Sequence, residues 1–188
     1  CYCTSAATSA ADEEILNVSL GTNGSLLNNT SSCTTTGGAA GNGLQASILS
    51  QYSNYTTVSS VPVPTITTGQ VVPYALTLGY CSGTAYSNMA KVYIDYNRNG
   101  TFEAAEQVAV TNYGARAVTG DVVSGIFTVP TNAAPGKTLM RVVYVESSVV
   151  NPTGTYTWGE TEDYFVNITT APATLAWSEG ATVLGTTP

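Results

Sequence analysis

Polar and apolar residues alternate over short stretches of this chain, and helical periodicity is almost absent. The alternation predicts strands near residues 14–21, 52–58, 71–78, 90–96, 107–111, 122–129, 138–146 and 162–169. Gly, Pro, Asn and Ser separate these stretches. The pattern therefore predicts an all-β fold, an antiparallel β-sandwich of about eight strands that is Ig-like or jelly-roll-like.

Two segments fall outside the strand pattern. Residues 31–50 are rich in Gly, Ser and Thr and too long for a tight hairpin, which indicates a surface excursion held by a disulfide. Residues 174–187 have strand-forming character without an evident partner strand. We therefore expect one sandwich domain over residues 1–170, followed over 171–188 by a linker or by a strand that pairs with a neighbouring domain or subunit.

The composition excludes several classes of function. Only 9% of the 188 residues are charged, the net charge is -7, and 30 Thr and 17 Ser supply much of the polarity. Five basic residues are too few to neutralise a run of phosphates, so nucleic acid is not an expected partner. The absence of histidine excludes Ser-His-Asp, Cys-His and HExxH chemistry. No apolar stretch approaches the roughly 18 residues of a membrane-spanning helix, so no membrane span is expected.

The four cysteines, Cys1, Cys3, Cys33 and Cys81, include no CxxC pair. In a Ser- and Thr-rich chain this favours disulfides and an oxidising compartment over zinc or thiol redox chemistry. A bridge from Cys1 to Cys3 is disfavoured because it would span one intervening residue. We therefore expect Cys3 to pair with Cys33 or Cys81, and Cys33 and Cys81 both to be oxidised.

Residues 95–106 match every position of the calcium-loop pattern D-x-[DN]-x-[DN]-G-x5-E. Calcium takes oxygen ligands at alternate positions of such a loop, with glycine at the sharp turn and a carboxylate at the last position. The predicted ligands are Asp95, Asn97, Asn99, Thr101 through its carbonyl oxygen, Glu103 directly or through water, and Glu106. Because the flanking segments predict strands rather than helices, the loop is expected on a β-hairpin.

The alternative for this segment is a metal-free hairpin with Asn99-Gly100 as its turn, since Asn-Gly is a strong hairpin signal. Against it, three of the chain's 12 acidic residues lie within these positions, and their charges would repel one another without a cation. The sequence therefore favours calcium as the cofactor.

A second group of acids lies in residues 158–164, Trp-Gly-Glu-Thr-Glu-Asp-Tyr. In a strand, Glu162 shares a face with the apolar residues that follow it and points to the sandwich interior, while Asp163 points away. Two interpretations stay open: a buried ion pair between Arg141 and Glu162, or a cation site that makes Glu160, Glu162 and Asp163 candidate additional metal ligands. A glycosidase carboxylate pair is disfavoured, since no aromatic cleft or second catalytic segment is evident.

The run Gly159-Glu160-Thr161-Glu162-Asp163 resembles the Gly-Glu-Val-Glu-Asp motif of the GEVED domain, with Thr161 in place of valine. The similarity extends over residues 2–169 through the segments 2–4, 27–30, 52–56, 92–94 with the ion loop, 127–130 and 140–142. The resemblance implies a secreted or cell-surface β-sandwich module of multidomain proteins of Bacteroidota, often exported by type IX secretion. It implies no catalytic role.

These features predict a non-catalytic, extracellular, calcium-stabilised structural or adhesive module of a cell-surface or secreted protein. The expected partners are other domains, or copies of the same or a larger surface protein. Two alternatives remain: a filament subunit that uses residues 174–187 for assembly, and a carbohydrate-binding module that stacks sugars on some of the 12 Tyr and two Trp.

Overall fold

The chain folds into two facing β-sheets and a small separate sheet of two strands in the computed structural model, which describes residues 2–10, 12–82, 86–115 and 119–172. Within these residues the strands are β1 (Ser5–Ala7), β2 (Glu13–Leu20), β3 (Leu27–Thr30), β4 (Tyr52–Asn54), β5 (Thr65–Thr67), β6 (Val71–Tyr80), β7 (Ser87–Ile94), β8 (Gln107–Val110), β9 (Gly114–Ala115), β10 (Asp121–Thr128), β11 (Gly136–Val145), β12 (Gly154–Tyr156) and β13 (Gly159–Thr169). Single turns of 3-10 helix lie at Thr22–Gly24, Tyr55–Thr57 and Ala104–Glu106. None of the helices in the described part of the chain is long and apolar enough to cross a membrane. The predicted all-β sandwich is confirmed, and each of the eight predicted strands has a counterpart.

The smaller sheet has the strand order β10-β6-β2-β3 and is antiparallel throughout. The larger sheet has the order β4-β13-β11-β7-β8, with β5 also beside β13 and β9 beside β7. Three pairings are parallel: β4 with β13, β5 with β13, and β1 with β12. The sandwich is therefore antiparallel in its long strands and mixed at its margins. Sequence alternation did not predict β1, β3, β5, β9 and β12, all of which have two to four residues, a length over which alternation is weak evidence.

The long strand β11 is buried on both of its faces. Met140 and Val142 pack into the core between the two sheets. Val143 and Val145 point the other way, into a second apolar cluster on the outer face of the larger sheet, which Phe102 of the ion loop partly covers. Burial on both faces explains why this strand is an almost continuous apolar run rather than an alternating one.

A disulfide joins Cys33 to Cys81, whose Cα atoms are 5.4 Å apart. The oxidation of both residues is confirmed, but the expected pairing with Cys3 is wrong. Cys3 is exposed with a free thiol, and its carbonyl oxygen accepts a hydrogen bond from an arginine of the larger sheet. Cys81 instead lies beside the start of β2, where its N–H donates to the carbonyl oxygen of Asp12, and Cys33 follows β3, the other neighbour of β2. Cys1 is outside the described residues.

Loss of this bridge is expected to lower the free energy of unfolding by about 2–4 kcal/mol, because it closes a separation of 48 residues in the unfolded chain. Urea unfolding of the Cys33→Ser/Cys81→Ser double variant measures the loss. The Cys3→Ser variant is the matched control, since it keeps the bridge, and an equal unfolding midpoint for both variants would contradict the prediction.

Candidate cation loop and buried acids

The predicted ion loop connects two paired strands of the larger sheet. β7 and β8 run antiparallel, with Tyr93 opposite Gln107, and residues 95–106 form the connection between them. The loop therefore lies on a β-hairpin, as expected. The alternative of a tight hairpin turn at Asn99-Gly100 is wrong, because twelve residues connect the two strands. Gly100 nevertheless has a φ of +83°, a conformation that favours glycine.

Asp95, at the first position of the loop, is completely buried. Its Oδ1 accepts a hydrogen bond from the Asn99 N–H at 3.2 Å, and its Oδ2 accepts one from the Gly100 N–H at 3.0 Å. The Tyr2 hydroxyl also donates to Oδ2, at 2.6 Å. Burial, reinforced by this contact with the Asp95 carboxylate, raises the pKa of Tyr2 to about 12. In the part of the chain that the structure describes, no basic side chain pairs with Asp95. Nothing in the sequence pattern indicated the contact with Tyr2.

The two glutamates of the loop cap each other's backbone. The Glu103 N–H donates to Glu106 Oε2 at 3.1 Å, and the Glu103 side chain accepts from the Glu106 N–H in return. Glu106 Oε1 also accepts from the Asn97 N–H at 3.2 Å. Burial raises the pKa of Glu106, and the charges of Asp95 and Glu103 add to the rise. Hydrogen bonds, above all from the Asn99 amide, lower the pKa of the exposed Glu103.

The amides of the loop hold its remaining oxygen atoms. Asn97 Oδ1 accepts from the Asn99 N–H at 2.9 Å, and Asn99 Oδ1 accepts from the Thr101 N–H at 2.8 Å. The two amide nitrogens donate to Glu103, from Asn97 at 2.7 Å and from Asn99 at 2.6 Å. The three loop carboxylates do not all come within 4.8 Å of one another among the described residues. Because the Asn97 and Asn99 amides occupy the two oxygens of Glu103, a cation that binds Glu103 in this loop would have to displace them.

Phe102 anchors the loop to the outer face of the larger sheet. Its ring centroid lies 5.4 Å from that of Tyr2 and 5.8 Å from that of Tyr93. The guanidinium carbon of Arg141 lies 5.3 Å from the Phe102 centroid. The loop therefore contacts both the N-terminal segment and the buried arginine of β11.

Arg141 forms its ion pair with Asp163, not with Glu162 as one interpretation proposed. Its Nε donates to Asp163 Oδ1 and its Nη2 donates to Oδ2, both at 2.7 Å. The Tyr52 hydroxyl donates to the same Oδ2 at 2.8 Å. The antiparallel register of β11 and β13 sets Arg141 directly opposite Asp163. Residues directly opposite each other share a face of a sheet, so Glu162 is on the other face.

Glu160 and Glu162 lie in the interior and connect the two sheets. Glu160 Oε2 accepts from the Ile15 N–H of β2 at 3.0 Å, and its Oε1 accepts from the Ser53 hydroxyl at 2.9 Å. Glu162 accepts from the Tyr164 hydroxyl at 2.7 Å and from the Ser31 hydroxyl at 3.1 Å. In the described part of the chain none of these partners belongs to the ion loop. The role of Glu160, Glu162 and Asp163 as additional metal ligands stays a prediction.

A third buried acid, Glu14 of β2, adjoins this pair and was not singled out from the sequence. Burial raises the pKa of Glu14 to about 7 and that of Glu162 to about 8. Burial also raises the pKa of Glu160 well above its usual value, and the nearby Glu162 and Glu14 carboxylates raise it further. The protonated forms of these three glutamates are therefore more stable in the folded protein than in the unfolded chain.

Residues 89–167 match the family model of the GEVED domain. The resemblance seen in the run from Gly159 to Asp163 is confirmed over that range, which contains the ion loop, Arg141 and all three acids of the motif. Among curated proteins no match was found.

Solved structures with a similar arrangement of strands are distant. The CARDB domain of a Pyrococcus furiosus protein in complex with di-metal ions has a TM-score of 0.35 and 15% identity, covering 57% of this chain and 86% of that one. A family 123 glycoside hydrolase from Clostridium perfringens has a TM-score of 0.35 and 12% identity, covering 61% of this chain but only 24% of that one. The catalytic domain of an LPMO from Listeria monocytogenes has a TM-score of 0.31 and 15% identity, covering 60% of this chain and 63% of that one. Similarities this weak support no conclusion about activity or ligands.

Proposed function

We propose that the chain is a non-catalytic structural or adhesive module of a secreted or cell-surface protein, and that calcium bound by residues 95–106 stabilises it. The observation that carries the proposal is the loop itself, in which Asp95 and Glu106 are buried carboxylates that contact no basic side chain among the described residues. Carboxylate, amide and carbonyl oxygens are the ligands that calcium prefers. The Cys33–Cys81 disulfide supports an oxidising, extracellular location.

The burial of the motif acids supports a non-catalytic role. Glu160, Glu162 and Asp163 are all completely buried and hydrogen-bonded inside the fold. A general acid or base must come within hydrogen-bonding distance of its substrate. Glu160 and Glu162 accept hydrogen bonds from residues of the facing sheet or next to it, and Asp163 pairs with Arg141 on the outer face.

Calcium is expected to raise the melting temperature of the protein over its value in EDTA. A ligand that binds only the folded state at about 100 times its Kd stabilises it by about 2.7 kcal/mol, which corresponds to roughly 5–10 °C for a chain of this size. The Asp95→Asn variant keeps the shape of the side chain but loses its charge, so it should lose a large part of this rise. Differential scanning calorimetry at increasing calcium concentration measures both effects.

The control for this experiment is Asp121→Asn, which removes a carboxylate from β10 of the other sheet. It should keep the full response to calcium. If Asp95→Asn responds to calcium as the wild type does, the loop is not the stabilising site.

The two alternative functions stay predictions. Filament assembly depends on residues 174–187, which lie outside the described residues. A carbohydrate-binding face would need aromatic rings aligned on the surface, and the exposed Tyr86, Tyr113 and Trp158 make no ring contact with one another in the described part of the chain.

A further inference from the structure

Three acidic residues outside the ion loop meet where β2 begins and β11 ends. Asp12 precedes β2, Glu13 is its first residue, and Glu146 directly follows β11. One carboxylate oxygen from each of them lies within 4.8 Å of the other two. Oxygens bound on opposite sides of one calcium ion, at about 2.4 Å each, would be separated by about this distance, so a single ion can contact all three.

The burial of this group sets it apart from an ordinary acidic surface patch. Glu13 is only 1% exposed, and neither of its carboxylate oxygens has a hydrogen bond of acceptable geometry among the described residues. Asp12 Oδ1 is likewise buried without such a bond. The backbone N–H of Glu13 itself and the amide of Asn88 on β7 are close enough to lower the pKa of Glu13. Burial dominates, the charges of Asp12 and Glu146 add to it, and the pKa rises to about 7.

An unpaired carboxylate in this environment is costly, because desolvation and the neighbouring charges both disfavour it. A cation among the three carboxylates would remove the repulsion and satisfy the orphaned oxygens together. Cations coordinated by protein carboxylates in this way are hard divalent ions, of which calcium best tolerates an irregular set of oxygens.

We propose that Asp12, Glu13 and Glu146 bind a second divalent cation of the calcium type. This site is separate from the loop on which the proposed function rests. Met89 pairs with Val145 at one end of the β7–β11 ladder, and Ile94 pairs with Met140 at the other, next to the loop. Five residues of strand separate the two ends, a distance of about 17 Å. The second site would tie the start of β2, in the smaller sheet, to the end of β11, in the larger one.

Terbium, which replaces calcium at oxygen sites and emits light when a nearby tryptophan is excited, can report on this site alone. The carbonyl oxygen of Trp158 accepts a hydrogen bond from the Glu146 N–H at 3.3 Å, and both residues line one pocket. Among the described residues, the aromatic rings that contact the ion loop are tyrosines. We expect tryptophan-sensitised terbium emission from the wild-type chain, and its displacement by calcium.

The Glu13→Gln variant should lose this emission and bind one calcium equivalent fewer in calorimetry, with no fall in melting temperature in EDTA. Glu146→Gln, at a half-buried position, should also lose the emission and one calcium equivalent. It is the variant to test if Glu13→Gln does not fold. Trp158→Phe should lose the emission but keep the calcium equivalent, which separates this tryptophan from Trp177. Asp95→Asn should keep the emission, whether or not the loop binds calcium.

Two outcomes would overturn the proposal. One is emission that survives both Glu13→Gln and Glu146→Gln. The other is a calcium stoichiometry that neither variant changes, which would mean that Glu13 is instead buried as a neutral, protonated acid. If instead the ion loop does not bind calcium, Asp95→Asn will show the same rise in melting temperature with calcium as the wild type.

Discussion

Replacing Asp163 by alanine is expected to lower the free energy of unfolding by about 3–5 kcal/mol, the usual cost of removing one partner from a buried ion pair. Arg141 has no exposed surface, and both oxygens of Asp163 accept its hydrogen bonds at 2.7 Å. Without Asp163, the guanidinium would keep its charge beneath Phe102 with the carbonyl oxygens of Cys3 and Pro152 as acceptors but with no counter-charge among the described residues. The hydroxyl of Tyr52 would also lose its acceptor. Urea unfolding gives the loss directly.

The control for this prediction is the removal of both charges. The Arg141→Met/Asp163→Leu double variant leaves no unpaired ion, and its neighbours on this face include Val143 and Tyr93. It should be more stable than Arg141→Met or Asp163→Leu alone, because well-packed apolar residues commonly replace a buried ion pair at little cost. A double variant whose loss equals the sum of the two single losses would show that the residues are not coupled.

The arrangement of Arg141 and the motif acids shows how far the sequence predicts this site. Alternation along β13 correctly predicted that Glu162 faces the interior and Asp163 the outside. It could not identify the partner of Arg141, because that depends on the register between β11 and β13, and register is a property of two strands together.

The disulfide and the second acidic cluster depend on the same kind of long-range information. Cys33 meets Cys81 because β3 and β6 both flank β2, a neighbour relation that no local pattern contains. Glu13 begins a strand of the smaller sheet, and Glu146 follows a strand of the larger one. The β-bulge between Ile15 and Asn17 also interrupts the alternation just after Glu14. A period of two could therefore not predict which of these acids are buried.

The ion loop is the opposite case, because its information is local. Twelve consecutive residues contain the proposed oxygen ligands, the glycine and the last-position carboxylate, and the expected strands flank them. The pattern could not predict that Glu103 is held by the amides of Asn97 and Asn99, or that Tyr2 contacts Asp95, since these follow from side-chain conformation and from the path of the N-terminal segment.

In EDTA, the protein is expected to lose stability as the pH rises from about 5 to 8. Glu162 is completely buried, and burial raises its pKa in the folded protein to about 8, against 4.5 for an ordinary glutamate. Over this range the unfolded chain has released a proton that the folded chain still holds. The free energy of unfolding therefore decreases with rising pH. The stabilising contribution is fully present below the unfolded pKa of 4.5 and is lost as the pH rises through the folded value.

The Glu162→Gln variant tests the source of this dependence. Glutamine can accept from one of the Tyr164 and Ser31 hydroxyls at its amide oxygen and donate to the other from its amide nitrogen, as a protonated glutamate would. It does not titrate, so part of the pH dependence should disappear. Since each pKa unit corresponds to about 1.4 kcal/mol, the difference in free energy of unfolding between wild type and variant should change by roughly 2 kcal/mol or more across the range.

Glu103→Gln is the matched control, because hydrogen bonds lower the pKa of the exposed Glu103 and leave it ionised throughout the range. Stability in EDTA that stays constant or rises from pH 5 to 8 in the wild type would mean that the interior carboxylates are ionised at neutral pH and stabilised by hydrogen bonds alone.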